Sequence, residues 1–476
     1  MADRRGIATV SIRVVSGVVG IAVAGLAIAG ATVLPLPSYT APVPVTTVKP
    51  VPADQQRVCP GPLLALASDA GAATAATAFD SPVIAYGTDG PAPDTRRITP
   101  DSAAAAPDQA PTVLTVSTPA TAGSPPLVAG AQVQDAATDD LAGLAAASCG
   151  EAAADSWLVA GSTALGQTSI VMLTNPTTVQ ATVSLTIFAE TGRVDAPGAT
   201  GIVVPPGAQK VIPLAGLAPS VAAPVVHVQT TGGQVLASLQ QSFEQGIDPR
   251  GVELTAATAS PSRQQIISGM RIANLAAVTA AQSGEGYGVD LPAVRVFVPG
   301  SEDADVTVGA VGENGTAAGS SYAATVKAGV VTEIPLDGLK DGNYTVTVNS
   351  STPVVASART SVTSGKADDF AWFVASAPMD DTFLAAVPTG PTPLLHFANR
   401  GEKDQKVTIT PENGKATTLV VPAEGAANSA AATGLVTVTG ADGLVVSTSF
   451  SANGKLSSFA LNPPGPLAAP IVVYPR

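Results

Sequence analysis

The chain has 476 residues, with 23 Lys+Arg against 36 Asp+Glu and a formal net charge of −13. Only 12% of residues are charged and 4% aromatic, beside 46 Gly, 41 Pro, 2 His and 2 Cys. Nucleic acid is excluded as a partner, because a phosphate backbone needs clustered Lys and Arg, and two His with two Cys leave few combinations for metal or acid–base chemistry.

The first element is an uncharged run from Val14 to Leu34. As a helix it spans about 31 Å, the thickness of a bilayer's hydrocarbon core. Arg4, Arg5 and Arg13 precede it, and positive flanks stay cytoplasmic. The reading is a single-pass transmembrane anchor over 14–36, a cytoplasmic tail over 1–13 and an extracellular remainder. Ala27-Ile28-Ala29 is a small-x-small pattern, so a cleaved signal peptide is the alternative; both readings export the chain. Pro35, Pro37, Pro42, Pro44, Pro50 and Pro52 then predict an extended, Pro-rich stalk over 37–58.

Cys59 and Cys149 stand 90 positions apart in a chain expected to be exported, where disulfides persist, and one bridge between them is favoured over two free thiols. A zinc site would need two more soft ligands, and His227 and His396 have no ligand spacing to the cysteines. Between the cysteines, 112–117 and 127–133 read as strands, 139–147 as a short helix and 69–111 as long loops. Residues 59–155 are therefore expected to form a loop-rich segment packed on the first module that follows.

Three stretches then line up: Trp157-Leu158-Val159-Ala160-Gly161, Gln265-Ile266-Ile267-Ser268-Gly269 and Trp372-Phe373-Val374-Ala375-Ser376, separated by 108 and 107 residues. Each is followed by an apolar strand and by another ten residues on: Leu173 then Val183, Val296 then Val306, Phe397 then Val407. Val211-Ile212-Pro213-Leu214 and Glu333-Ile334-Pro335-Leu336 recur further on, with Val420-Val421-Pro422 as a trace in the third unit. Each unit ends on an expected hairpin: 226–230 with 234–243, 344–348 with 353–362, and 435–439 with 444–450. Period-2 alternation with frequent turn residues predicts antiparallel strands. The fold class is mainly β, with three tandem immunoglobulin-like antiparallel β-sandwich modules over 156–263, 264–370 and 371–463 and a C-terminal tail over 464–476. The Ala-rich segment 272–281 reads as a strand followed by a loop, since Gly284, Gly286 and Gly288 come next. Trp157 and Trp372, at equivalent repeat positions, read as core plugs between sheets rather than as a sugar platform.

No G-x-S-x-G elbow or S-x-x-K pattern supplies a serine nucleophile. His227 and His396 both fall on strands between apolar neighbours. Carboxylate candidates are Glu302, Asp303 and Asp305, Asp368 and Asp369, and Asp380 and Asp381, all in turn-like stretches where acidic residues are ordinarily solvated. The 301–305 loop lacks the length and terminal Glu of a calcium loop, and Gly312-Glu313-Asn314-Gly315 reads as a hairpin turn. No catalytic, cofactor-binding or metal-binding residue is assigned; the assigned pair is the disulfide Cys59–Cys149.

Taken in order, the anchor, Cys59-Pro60-Gly61, the run Asp140-Leu141-Ala142-Gly143-Leu144 to Cys149, Trp157-x-Val159-x-Gly161 and Leu173-Thr174-Asn175-Pro176 resemble a family of membrane-anchored, secreted actinobacterial proteins that forms a domain of unknown function. The resemblance implies an envelope protein with no assigned reaction. The expectation is a non-enzymatic scaffold or interaction protein outside the cytoplasmic membrane, held there by its N-terminal helix, without a cofactor, and partnered by envelope proteins or cell-wall glycan. A glycan-binding protein assisting envelope assembly is the first alternative and a carboxylate-based envelope hydrolase the second.

Overall fold

The computed structural model describes residues 17–26, 46–48, 54–66, 76–100, 103–104, 109–118, 125–282, 291–315, 319–364, 367–464 and 471–473. They belong to two compact units, Met1–Pro50 with Ala469–Arg476, and Val51–Ala468. In the first, residues 17–26 are helical and their side chains are exposed. That length rises about 15 Å, half of what a bilayer needs, and no helix among the described residues is long and apolar enough to cross a membrane. The tail over 1–13 and the rest of the expected anchor lie outside the described residues. Thr46–Val48 pairs antiparallel with Ile471–Val473, so parts of the expected stalk and C-terminal tail form a two-stranded ladder.

The second unit is built almost wholly of strands, as the alternating pattern requires. The first repeat runs through eight: Asp155–Leu158, Gln167–Thr174, Ala181–Ala189, Ile202–Val204, Ala208–Pro213, Val225–Gly232, Leu236–Gln245 and Asp248–Ala256. One sheet takes the first, sixth, third and fourth in that order, and the other takes the fifth, second, seventh and eighth. The second repeat repeats the order with Ser262–Ile272, Ala293–Phe297, Ala304–Gly312, Ser320–Val326, Thr332–Pro335, the long Gly342–Thr363 and Asp368–Val374. The third does so with Thr382–Val387, Leu394–Ala398, Gln405–Pro411, Thr417–Val421, Ala426–Ala430, Gly434–Thr439, Val445–Ala452 and Lys455–Leu461. In each repeat the two sheets enclose an apolar core, such as Leu158, Val171, Val183, Val226 and Leu239 in the first.

The expected hairpins are corrected by this order. The sixth and seventh strands lie in opposite sheets, because their edges are already taken: Val225–Gly232 pairs with the first and third strands, and Leu236–Gln245 with the second and eighth. In the second repeat the two are one continuous strand, whose first half pairs in one sheet and whose second half pairs in the other. Trp372 is corrected too. It lies on the eighth strand of the second repeat, opposite Arg359, whereas Trp157 lies on a first strand opposite His227. Val420-Val421 is on a fourth strand and matches Val203-Val204, so it is no trace of the fifth-strand motif. After Ile272 a helix, Leu275–Gln282, replaces the expected loop, as the run of Ala favours.

The region before the repeats is a shorter copy of the same plan. Residues 76–79, 83–88 and 94–97 are strands rather than loop, and Ala142–Ser148 is a strand rather than a helix, its small side chains packed against neighbouring strands. Gln55–Cys59, Thr112–Val116 and Asp94–Arg97 form one sheet, and Ala142–Ser148, Val128–Ala137 and Val83–Thr88 the other. These are the first, sixth and third strands and the eighth, seventh and second strands of the repeat order, and Leu63–Leu66, Ala76–Phe79 and Ala103–Ala104 form a further three-stranded sheet. The end of the expected stalk is therefore a buried strand. Four sheet pairs close into a ring: the N-terminal pair packs on the first repeat through Leu63, Leu64, Met172 and Val252, and on the third through Ala131, Val133, Phe397 and Phe450.

Cys59 and Cys149 are joined, linking the first strand of the N-terminal pair to the end of its eighth. Val58 and Gly150 exchange backbone hydrogen bonds of 2.8 and 3.0 Å beside the bridge. The bond thus ties the pair that has the fewest strands among the described residues. Reduction is expected to lower stability by about 4 kcal/mol, the loop-closure contribution for a loop of this length, read as a shift in urea midpoint between oxidised and reduced protein; an unchanged midpoint would contradict this.

Candidate functional site

One repeat position builds the junctions between sheet pairs. Met172, Arg295 and His396 on the second strands stand opposite Ser238, Ser357 and Ser447 on the seventh. Their neighbours Leu173, Val296 and Phe397 fill the cores, so alternation turns these three outward, toward the preceding sheet pair. Met172 meets an apolar wall that includes Leu63 and Leu64.

Arg295 is fully buried. Its Nη1 donates to the carbonyls of Gly161 and Pro224 in the preceding repeat, both at 2.9 Å. Nε and Nη2 donate to Glu333 Oε1 at 3.0 and 2.8 Å. Burial raises the Glu333 carboxyl, but the charges of Arg295 and Arg359 outweigh it and hold the pKa below its ordinary value. Trp372 lies under the guanidinium, 4.4 Å from ring centroid to Cζ, and its Nε1 donates to Gln241 Oε1 at 2.7 Å. Trp157 packs with Phe297, Val331 and Val355 in the same junction. His227 stacks on it at 3.8 Å and bonds through Nε2 to Asp155 Oδ2 at 2.8 Å. Both tryptophans are buried as expected, but between repeats rather than between the sheets of one.

His396 makes the next junction. Its Nδ1 lies 2.6 Å from Glu313 Oε2 and its Nε2 2.7 Å from Ser449 Oγ. Glu313 sits in the turn expected at Gly312-Glu313-Asn314-Gly315, yet it is buried, accepting also from Asn428 Nδ2 at 2.8 Å and Thr345 Oγ1 at 3.2 Å. Burial alone would raise its pKa; the His396 charge, with hydrogen bonds from His396, Asn428 and Thr345, holds it below the ordinary value. Gly269 has φ +77°, and a Cβ there would lie 2.7 Å from the His396 ring, so this close approach requires glycine. Carboxylate, imidazole and hydroxyl are connected as in a serine hydrolase. Exposures of 0%, 0% and 2% for Glu313, His396 and Ser449 keep a substrate carbonyl from reaching the hydroxyl.

The four eighth strands pack side by side as an axle. Asp369, expected to be solvated in a turn, is buried there on a strand. Its Oδ2 accepts from the N–H groups of Leu144 and Leu456 at 2.9 and 3.0 Å, and its Oδ1 from those of Phe370 and Val252 at 3.0 and 3.4 Å. The donors come from all four sheet pairs. Val252, Phe370 and Leu456 are equivalent, each four residues before Ala256, Val374 and Ala460, which face the three junction serines. Gly143 leaves room for the carboxylate, since a Cβ there would lie 2.6 Å from Asp369 Oδ1. Glu253, also fully buried, accepts from Leu254 N and Ser457 Oγ, both at 3.0 Å, while its Oε2 has no partner. Burial pushes both carboxyls well above their ordinary range, and the Asp369 charge pushes Glu253 further. Donors fill both oxygens of Asp369, so the proton rests on Glu253.

Four of the other acidic candidates are held by neighbouring segments. Asp303 accepts from Ala328 N at 2.9 Å, Asp305 from Thr325 Oγ1 at 3.0 Å and Asp381 from Thr382 Oγ1 at 3.1 Å, and Asp368 pairs with Arg250 at 2.6 Å. Among the described residues no three of His, Cys, Asp or Glu are placed to hold a metal. One open feature is a cleft of about 560 Å³ at the C-terminal end of the axle. The four connections leaving the eighth strands surround it, with Gly150, Thr258, Ser376 and Asn462 at matching positions and Arg57 and Arg400 also in its lining. Sequence reading missed this cleft because its lining comes from connections far apart in the chain, many of them Ala, Ser, Gly and Pro. The junction residues did carry a signal: they immediately precede the repeat positions Leu173, Val296 and Phe397.

Asp369→Ala is expected to cost about 4 kcal/mol or more, since each buried donor left unpaired costs about 1–3 kcal/mol, measured by urea unfolding. Glu313→Ala, which leaves His396 buried without its partner, should cost about 3–5 kcal/mol. Glu253 binds its proton more tightly folded than unfolded, so its contribution is complete below the unfolded pKa of about 4.3 and is lost as pH rises toward the folded value. The melting temperature should therefore fall less between about pH 4 and about pH 8 in Glu253→Gln than in the unaltered protein; equal slopes would contradict the assignment.

No curated protein matches the chain. A family profile described as "Family of unknown function (DUF5719)" matches residues 102–438, from the N-terminal sheet pair into the sixth strand of the third repeat. That span covers more than two thirds of the sequence and all of the junctions built by Met172, Arg295 and His396, and the chain belongs to this family.

Proposed function

We propose that the chain is a non-enzymatic interaction scaffold of the cell envelope, exported by its apolar N-terminal run and displayed outside the cytoplasmic membrane. The observation that carries this reading is the fate of its chemically capable side chains. Glu313, His396 and Ser449, Arg295 and Glu333, and Asp369 are held by one another or by backbone at junctions or in the axle, and Glu253 is buried in the axle with them. A protein that uses its ionisable residues to fix one sheet pair against the next is suited to holding a surface in place. The Val14–Leu34 run with its arginine flank and the Cys59–Cys149 bond favour display in an oxidising compartment. The sandwich-like sheet pairs, set in a ring, would present their turns to partners; Leu165 and Ile247, at 102% and 89% exposure, are the most solvent-exposed large apolar side chains among the described residues.

Two measurements test the reading in cells. Protease added to intact cells should degrade residues 51–468, and protection would overturn export. A photo-crosslinking residue at Leu165 or Ile247 should capture envelope proteins; recovery of cytoplasmic proteins alone would overturn the scaffold role.

A further inference from the structure

In each repeat the second strand lies between the seventh and the fifth. Gln167–Thr174 pairs with Ala208–Pro213, Ala293–Phe297 with Thr332–Pro335 and Leu394–Ala398 with Ala426–Ala430. The second strand of the N-terminal pair, Val83–Thr88, pairs among the described residues with its seventh, Val128–Ala137, alone. In chain order a fifth strand would come between Asp94–Arg97 and Thr112–Val116. The strands described in that stretch pair elsewhere, Thr99–Pro100 with Ala208 and Gln209, and Ala103–Ala104 with Ala76 and Thr77. Fourth strands are sheet edges in all three repeats and so mark the ordinary limit of the plan. Val83–Thr88 holds an interior position that lacks one neighbour.

Register shows what that neighbour would cover. Ser148 follows the Asp369 donor Leu144 by four residues, as Ala256, Val374 and Ala460 follow Val252, Phe370 and Leu456. Ser148 faces Ala131, and Ala131 faces Ala85. Ala85 is therefore the counterpart of Met172, Arg295 and His396, and Tyr86 that of Leu173, Val296 and Phe397. Those three are fully buried, each opposite a fifth-strand residue, whereas Tyr86 is 44% exposed. Asp89 N donates to Leu127 O at 3.2 Å, so the alternation of an antiparallel ladder turns the backbone groups of Val83, Ala85 and Gly87 toward Val128–Ala137 and those of Ile84, Tyr86 and Thr88 toward the open edge. Exposed edges are ordinarily guarded by charge, Pro or a bulge. Asp94–Arg97, at the edge of the facing sheet, is guarded in this way, with exposed Asp94, Arg96 and Arg97. Val83–Thr88 has no charge, no Pro and no register shift, and its Val83 is exposed.

We propose that the open edge of Val83–Thr88 binds an extended segment of a partner protein, which pairs antiparallel with Ile84, Tyr86 and Thr88 in the place of a fifth strand. The fifth strands of the repeats describe the occupant. Opposite the counterparts of Ile84 they carry Ile212, Ile334 and Ser429, and opposite those of Tyr86 they carry Lys210, Thr332 and Ala427. The segment therefore sets an apolar or small side chain against Ile84, which packs toward Leu114 and the disulfide, and covers the Tyr86 ring two residues away. Pairing of this edge with a second copy is disfavoured, since it would join two chains of net charge −13. The proposal deepens the scaffold reading and rests on it, by naming one docking edge and the form of its partner.

The test follows amide exchange in the full chain, with a peptide of the sequence of residues 207–214, the fifth strand of the first repeat, as the probe. In the free chain the amides of Ile84, Tyr86 and Thr88 should exchange fast and those of Ala85 and Gly87 slowly, and the peptide should slow the first three by about tenfold or more. The backbone groups of Lys210 and Ile212 face the second strand in the first repeat, since Ala208 accepts there from Asn175 N. N-methylation of the peptide at Lys210 and Ile212 should therefore abolish binding, and N-methylation at Gln209 and Val211 should leave it. Tyr86→Pro, which removes an edge N–H without touching the ladder to Val128–Ala137, should abolish the protection while melting cooperatively. If that variant does not melt cooperatively, the two methylated peptides decide. Protection of Ile84, Tyr86 and Thr88 in the free monomer, or in a dimer of the chain, overturns the proposal, because the edge is then already covered. So does binding that both methylations reduce equally, or no protection by the peptide. Loss of peptide protection while crosslinking at Leu165 and Ile247 still captures envelope proteins would sink the edge and leave the scaffold reading standing.

Discussion

The Asp369 carboxylate is the point on which the ring closes. Two oxygens accept four backbone N–H groups, one from each sheet pair, in a buried setting. Neighbouring strands in a sheet satisfy one another, but four strands brought together from four different sheets do not have matching ladders. A carboxylate is the smallest group that can accept from several directions at once. Its burial is expensive, and that cost is offset only when every donor is in place. The same bonds that make the axle possible therefore make it specific: a sheet pair that packs out of position leaves a charge unpaired.

Around that point the junctions solve one problem in three ways. The outward side chain of each second strand must fit the preceding sheet pair. Where that neighbour offers an apolar wall, the residue is Met172; where it offers carbonyls, Arg295 donates to them; where it offers a carboxylate, His396 pairs with it. The triad-like order of Glu313, His396 and Ser449 follows from this use. Hydrogen-bonded chains of carboxylate, imidazole and hydroxyl fix an orientation whether or not a reaction follows, and accessibility separates the two uses.

Much of the strand pattern was legible along the chain. The spacing from Leu173 to Val183, Val296 to Val306 and Phe397 to Val407 marks second and third strands correctly, since residues ten apart across a turn are a local matter. The sixth and seventh strands were also visible, but not their partners. Alternation says which side of a strand is apolar and not which strand lies beside it. For the same reason Trp372-Phe373-Val374 resembled Trp157-Leu158-Val159: both are apolar strands with a large ring, and only pairing places one eighth and the other first. The fourth sheet pair was hidden because small alanines in Ala142–Ser148 carry little strand propensity, and packing overrides it.

By itself the sequence determined that the chain is mainly β, that its repeats span roughly a hundred residues, that its cysteines are available for one bond and that its acidic residues outnumber its basic ones. These follow from composition, periodicity and local turn chemistry, each of which acts over a few neighbouring residues. Only the tertiary structure decided that there are four sheet pairs in a closed ring, that Asp369, Glu313 and Arg295 are interior, and that a cleft opens where four connections meet. Burial of a charge depends on donors brought from residues as far apart as Leu144 and Leu456, and no local pattern encodes that distance.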